Sequence, residues 1–189
     1  LVLANSRGLV DSCNALGWEA TLVPSVIDLS ACEVDSERTK ALLINPTAAY
    51  GLERAVELAE ACPEIGFVFQ ESTRLTPDEL GVVTSICERL PNIEFREFCT
   101  NPADIYRDAR VLLAPYTDFL ESNRPRSVLE AQWNGIPIIG TSRAGLRDAV
   151  GTGGSLLRPD ASLEEWRLVL EEVFSMNQVY DDLVSQASG

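Results

Sequence analysis

In ESNRPRSVLEAQWNGIPIIGTSRAGLRDAVGTGG, residues 121–154, a helix start, an amphipathic helix and an apolar strand follow one another without a break. Glu121 and Glu130 bracket a proline-led helix start, the helix keeps an apolar face as far as Gly135, and an apolar strand over 136–140 follows at once. Pro125 suits the first helical turn, because its missing N–H would be unpaired there anyway. Gly135 can take the left-handed conformation that ends a helix. The unpaired N–H groups of such a helix start attract anions, so a phosphate or a sugar diphosphate is a natural ligand. A carboxylate five residues into the helix can reach a ribose diol at the same mouth. The plainer alternative is an ordinary α/β helix with solvated glutamates.

On either side of this stretch, strand-like and helical segments alternate along most of the chain. Strands are predicted over 1–4, 20–23, 41–44, 65–69, 93–95, 111–114, 136–140 and 155–157. Helices are predicted over 8–16, 51–61, 76–90, 102–108, 125–134, 145–149, 162–175 and 177–187, and the polar stretch 28–39 reads as a linker or domain junction. Continuously apolar strands separated by single helices indicate an α/β fold, a parallel sheet covered on both faces. Ligands of such sheets bind beyond the carboxyl ends of the strands, which brings 45–51, 95–99 and 115–126 to one rim.

Composition narrows the function classes. A formal charge of −14 argues against nucleic acid as a partner, because phosphate neutralisation needs clustered Lys and Arg. No apolar run is long enough for a transmembrane helix, and no signal-peptide pattern opens the chain. The five cysteines are scattered without C-x-x-C spacing, which reads as free thiols of a cytoplasmic protein. With no histidine in the chain, Ser-His-Asp, Cys-His and H-E-x-x-H chemistry are excluded within it. The chain opens on an apolar run without an initiator Met and reads as a piece of a longer protein.

The order INPTAAYGLERAVELAEACPEIGFVF, NIEFREFCTNPADIYRDARVLLAPY and then 121–154 resembles the C-terminal, nucleotide-sugar-binding domain of GT-B glycosyltransferases. The nearest likeness is to the large retaining group 1 family with its E-x7-E motif, over roughly residues 40–175. The resemblance implies a Rossmann-like domain over 40–175, with 1–39 as the end of a preceding domain and interdomain crossover, and 176–189 as a C-terminal helix. It also implies a UDP- or GDP-linked sugar as donor substrate, hexosyl transfer, an N-terminal acceptor domain in the same polypeptide, and no metal or other cofactor.

By the same resemblance Glu130 contacts the donor ribose, and Glu121 the transferred sugar. Glu121 lies nine residues before Glu130 rather than eight, and Ser122 holds the strict position, so either the loop carries an extra residue or the sugar contact is altered. Ser122, Asn123, Arg124, Arg126 and Ser127 fall where relatives bring glycine amides to the phosphates. The two arginines are either diphosphate partners or solvated cations. Asn45 and Tyr50, next to Gly51, stand where the family commonly places an Arg and a Lys against the departing diphosphate. Arg96, Glu97 and Phe98 are candidate neighbours of the nucleobase, or simply core and surface. Ala144-Gly145 and Asp148 match a glycine turn that helps position the 121–130 loop.

Three functions follow as expectations. The first is the donor-binding half of a glycosyltransferase, binding nucleotide weakly and transferring nothing on its own, with Glu130→Ala weakening nucleotide binding while leaving the melting temperature almost unchanged. The second is a degenerate, noncatalytic binding or assembly module, favoured by Asn45 and Tyr50. The third, a sugar-nucleotide epimerase of similar architecture, is disfavoured by the lack of histidine.

Overall fold

The computed structural model describes residues 1–23, 26–120 and 124–187. Two short parallel strands, β1 (Val2–Ala4) and β2 (Ala20–Leu22), flank α1 (Arg7–Ala15). The Ser6 side chain caps α1 by accepting from the Leu9 N–H, and Gly17, with a φ of 76°, turns the chain after it. This unit docks on a later helix: a Cβ on Gly8 would sit 3.0 Å from the Ala144 Cβ.

The main sheet has six parallel strands: β3 (Lys40–Ile44), β4 (Gly66–Gln70), β5 (Ile93–Arg96), β6 (Ala109–Ala114), β7 (Ile138–Thr141) and β8 (Gly154–Leu157). Their spatial order is β5-β4-β3-β6-β7-β8, so the direction of winding reverses between β3 and β6. Side chains alternate across the sheet and both faces are apolar. Leu43, Phe67, Phe69, Leu113 and Ile139 pack on one face with α2 (Leu52–Ala61), α3 (Pro77–Arg89) and the later helices α7 (Leu163–Ser175) and α8 (Asn177–Ala187). Leu42, Ile44, Val68, Leu112 and Ile138 pack on the other. There the covering elements are α4 (Ala103–Tyr106), α5 (Arg126–Trp133), α6 (Ala144–Val150) and a 3₁₀ turn over Leu29–Cys32.

The helix boundaries have local causes. Thr76 and Ser162 each form a reciprocal capping box, with Glu79 and Glu165 respectively. The helix expected over 102–108 is only one turn, because Asp108 leaves it to receive the Arg96 guanidinium at 2.6 Å. Pro125 is the N-cap of α5, one position before the first turn, with extended backbone. At the other end of α5 the Gly135 N–H bonds the Gln132 carbonyl and the Ile136 N–H the Ala131 carbonyl, with Gly135 at φ 60°. That Schellman closure, followed by Pro137, delays β7 to Ile138 instead of 136.

The polar stretch 28–39 is fastened rather than loose. The Asn134 side chain accepts from the Val34 N–H and donates to the Cys32 carbonyl. Arg38 donates to the carbonyls of Asn134 and Gly135, both at 2.7 Å, placing a cation at the negative end of α5. The segment is therefore fastened to the helix that carries Glu130. No described helix is long and apolar enough to cross a membrane.

Candidate functional site

Beyond the carboxyl end of β3, on the α5 face, lies a cavity of about 800 Å³. The start of α5 forms one wall with Arg124, Arg126, Ser127 and Glu130, and Ile44, Asn45 and Tyr50 form the floor. Phe98 and the following loop close the far side, and Asn5 and Ile27 reach in from the N-terminal segment. Seven candidate residues far apart in sequence thus meet: Asn45, Tyr50, Phe98, Arg124, Arg126, Ser127 and Glu130. Glu121, Ser122 and Asn123 lie outside the described residues.

Glu130 does not present a bare carboxylate. Its side chain is 9% exposed; Oε1 accepts from Arg126 Nε at 2.6 Å and Oε2 from the Tyr106 hydroxyl at 2.7 Å. Tyr106 is fully buried, and burial, then the neighbouring Glu130 charge, pushes its phenol well above the ordinary value. It therefore stays a donor and holds the carboxylate in one rotamer at the cavity wall. An ionised carboxylate has about four acceptor positions, so two remain for ligand hydroxyls.

The other rim residues serve the scaffold as well as the cavity. Asn45 adopts a left-handed φ of 55°, and its side-chain oxygen accepts from the Ser72 and Thr73 N–H groups at 3.0 and 2.8 Å. Tyr50 meets Tyr116 edge to face at 5.5 Å, and burial pushes the Tyr116 phenol up to about 12. Neither residue supplies the cation expected of a diphosphate partner. Gly51 does not line this cavity. Its φ is +80°, and a Cβ would lie 2.0 Å from the Pro115 carbonyl oxygen, so it lets the start of α2 touch the end of β6.

The three nucleobase candidates separate. The Arg96 guanidinium turns away from the cavity, bonded to Glu94 at 2.7 Å and to Asp108 at 2.6 Å. Glu97 is exposed, and its carbonyl accepts from the buried Gln70 side chain. Only Phe98 lines the cavity, with the Arg74 guanidinium 5.2 Å from its ring centre. Sequence reading missed the group that shapes this loop. Buried Glu71 accepts from the Leu75 and Phe98 N–H groups at 2.8 and 2.7 Å, and those bonds, Leu75 first, hold its carboxyl below the ordinary value against its burial. The available signal was a Gln-Glu pair ending an apolar strand at the ligand rim.

A second cavity, of about 940 Å³, opens on the α2 face and is lined by Val56, Ile86 and Trp166 among others. Its arginines are committed: Arg54 pairs with Glu57, Arg89 with Glu60 and Arg143 with Asp118. In the first cavity Arg126 is likewise paired, with Glu130, but Arg124 has no carboxylate partner among the described residues, and the cavity adds an oriented acid and the start of a helix. The chemistry to recognise a polyhydroxylated anion is therefore concentrated on the α5 face.

A family model for group 1 glycosyl transferases matches residues 75–173, more than half of the chain. The chain belongs to the group 1 glycosyltransferases. The match spans β5 to β8 and the whole of α5, so the residues quoted for the resemblance lie largely within it. Among solved structures, HepE of Anabaena in complex with UDP-glucose superposes with a TM-score of 0.82 at 15% identity, over 100% of this chain and 57% of that one. Sucrose-phosphate synthase of Thermosynechococcus elongatus gives 0.83 at 14% identity, over 99% and 52%. A glycosyltransferase of Rickettsia africae gives 0.78 at 11% identity, over 98% and 57%. At these identities the likeness establishes the fold, a GT-B glycosyltransferase domain. The chain spans little more than half the length of these solved proteins. No curated protein matches it by sequence.

Proposed function

We propose that this chain is the donor-binding part of a glycosyltransferase that moves a sugar from a nucleoside diphosphate to an acceptor. The observation that carries this reading is the meeting of Glu130, Arg124 and Arg126 at the start of α5, on the wall of one cavity beyond β3. Glu130, fixed by Tyr106, accepts hydrogen bonds from the ribose diol. The α5 amides and the two arginines receive the diphosphate, so no divalent metal is required in this reading. The base lies toward Phe98. Charge develops on the departing diphosphate, where oriented cations stabilise it most. That HepE, a fold neighbour, was solved with UDP and with UDP-glucose supports a nucleotide sugar as ligand.

The acceptor side is assigned to a preceding domain of the same polypeptide, with residues 1–39 as its end. The exposed apolar side chains of the β1–α1–β2 unit, Leu3 and Trp18, support a covering partner there. The activity is assigned to the cytoplasm, in keeping with the free state of all five cysteines. The isolated chain is expected to bind nucleotide and to transfer nothing.

Calorimetric titration with UDP, GDP and ADP and their sugars tests the reading: a response to at least one is expected, and silence to all removes the donor site. A second reading, a noncatalytic module, is favoured by the structural employment of Asn45 and Tyr50. Tyr50→Lys separates the two. A working diphosphate site should gain about tenfold in nucleoside diphosphate affinity from the added cation, whereas a degenerate one should not respond.

A further inference from the structure

Most cationic side chains of this acidic protein are matched with carboxylates, including Lys40, Arg54, Arg89, Arg96, Arg126 and Arg167. Arg7, Arg38, Arg107, Arg110, Arg124 and Arg147 have no carboxylate partner among the described residues; Arg38 and Arg110 are spent on backbone carbonyls, and Arg7, Arg124 and Arg147 line one cleft of about 390 Å³. The cleft lies where the start of α1 meets α6. The Asp148 carboxylate also lines it, but its Oδ2 accepts from the Arg7 backbone N–H at 2.7 Å, which fixes the junction. Arg147 Nη1 donates to the Ser142 carbonyl and hydroxyl at 3.0 and 3.2 Å, which holds that guanidinium in place. Asn5 and Arg124 line this cleft and the nucleotide cavity alike, so the two are neighbours.

Among the described residues that line the cleft, three arginines meet one carboxylate, a local excess of positive charge in a chain of −14. Holding like charges together costs free energy unless an anion joins them. We propose that this cleft is an anion subsite that takes a phosphoryl group beside the nucleotide cavity, with Arg124 as the shared cation. The group comes either from the diphosphate of the donor or from a phosphate on the second substrate. In the first case Arg7 and Arg147 supply the charge that Asn45 and Tyr50 lack. The inference deepens the proposed donor site, but binding of the anion itself can be read without it.

The test uses the whole chain and the double variant Arg7→Gln/Arg147→Gln, which replaces two exposed side chains and leaves Arg124 in place. Amide shifts of Arg7 and Asp148 are followed on titration with inorganic pyrophosphate, then with UDP and with uridine. Saturable shifts with pyrophosphate are expected, weakened about tenfold in the variant. Weaker UDP binding in the variant, with uridine unaffected, identifies the donor as the source. Inorganic phosphate that still shifts these amides at saturating UDP identifies the second substrate. UDP binding without any pyrophosphate effect, and unchanged in the variant, overturns the subsite and leaves the donor site standing. Pyrophosphate binding without UDP binding does the reverse.

Discussion

Glu130 is at once a wall of the cavity beyond β3 and the acceptor for a buried phenol. The family resemblance implies a ribose contact for it, with removal expected to leave the melting temperature almost unchanged. The structure changes that expectation, because Oε2 is the 2.7 Å acceptor for a buried phenol whose one other acceptor among the described residues, the Ser127 carbonyl, is 3.4 Å away. Glu130→Ala is expected to lower the unfolding free energy by about 1–3 kcal/mol, the cost of stranding a buried donor. Tyr106→Phe in the same background should recover most of it. Urea unfolding of the set checks this, and a Glu130→Ala protein as stable as the wild type would show that the pair carries no stability. Tyr106 was not legible beforehand: it lies 24 residues before Glu130, in a helix of one turn whose neighbours only the folded sheet decides. Arg96 failed for the converse reason. Its place after a strand suggested the ligand rim, yet three charged neighbours, Lys40, Glu94 and Asp108, gather it into a network away from the cavity.

At the scale of elements, apolar runs and punctuation by Gly and Pro were enough to read almost every strand and helix in order. Capping boxes and the Schellman close of α5 are local chemistry, so the sequence carries them. Close approaches between elements are not local. Gly51 looked like part of a phosphate site, whereas its lack of a side chain lets α2 meet Pro115. Gly51→Ala combines a positive φ with a backbone clash and is expected to destabilise by more than about 2 kcal/mol, read in a thermal or urea melt. A variant as stable as the wild type would refute that close approach.

The network between β3, β5 and β6 gives a pH signature. Its bond to Arg96, aided by Lys40, holds the Glu94 carboxyl at about 2. Asp108, despite burial, is also held below its ordinary value by Arg96 and Lys40. A carboxylate lowered in the folded state stabilises the fold above its unfolded value, and that benefit is lost as pH falls through the folded one. Arg96→Gln should therefore cost stability near neutrality and progressively less from about pH 4.5 down to about 2. Glu94 is 44% exposed, so its share is small, under about 1 kcal/mol. A cost that does not vary with pH over that window would contradict the coupling.

At the scale of the whole molecule, the decisive feature is where the sheet reverses its winding. The β3–β6 boundary puts the loops after β3 and β6 side by side, and α5 starts where the β6 loop ends. The fastening of 28–39 to α5 stiffens one wall of the cavity beyond β3, and the β1–α1–β2 unit leans on α6 beside it. Continuously apolar strands separated by single helices made the fold class legible. The cavity was not, because its described walls come from six separated stretches and its shape depends on Glu71 and Gln70 bonds to the loop beyond β5. The most direct test of the central claim is chemical-shift mapping of UDP on the isotope-labelled chain. Saturable shifts at Tyr50, Tyr106, Ser127 and Glu130 are the expected result. No shifts, or shifts confined to Val56, Ile86 and Trp166 around the cavity on the other face, would contradict it.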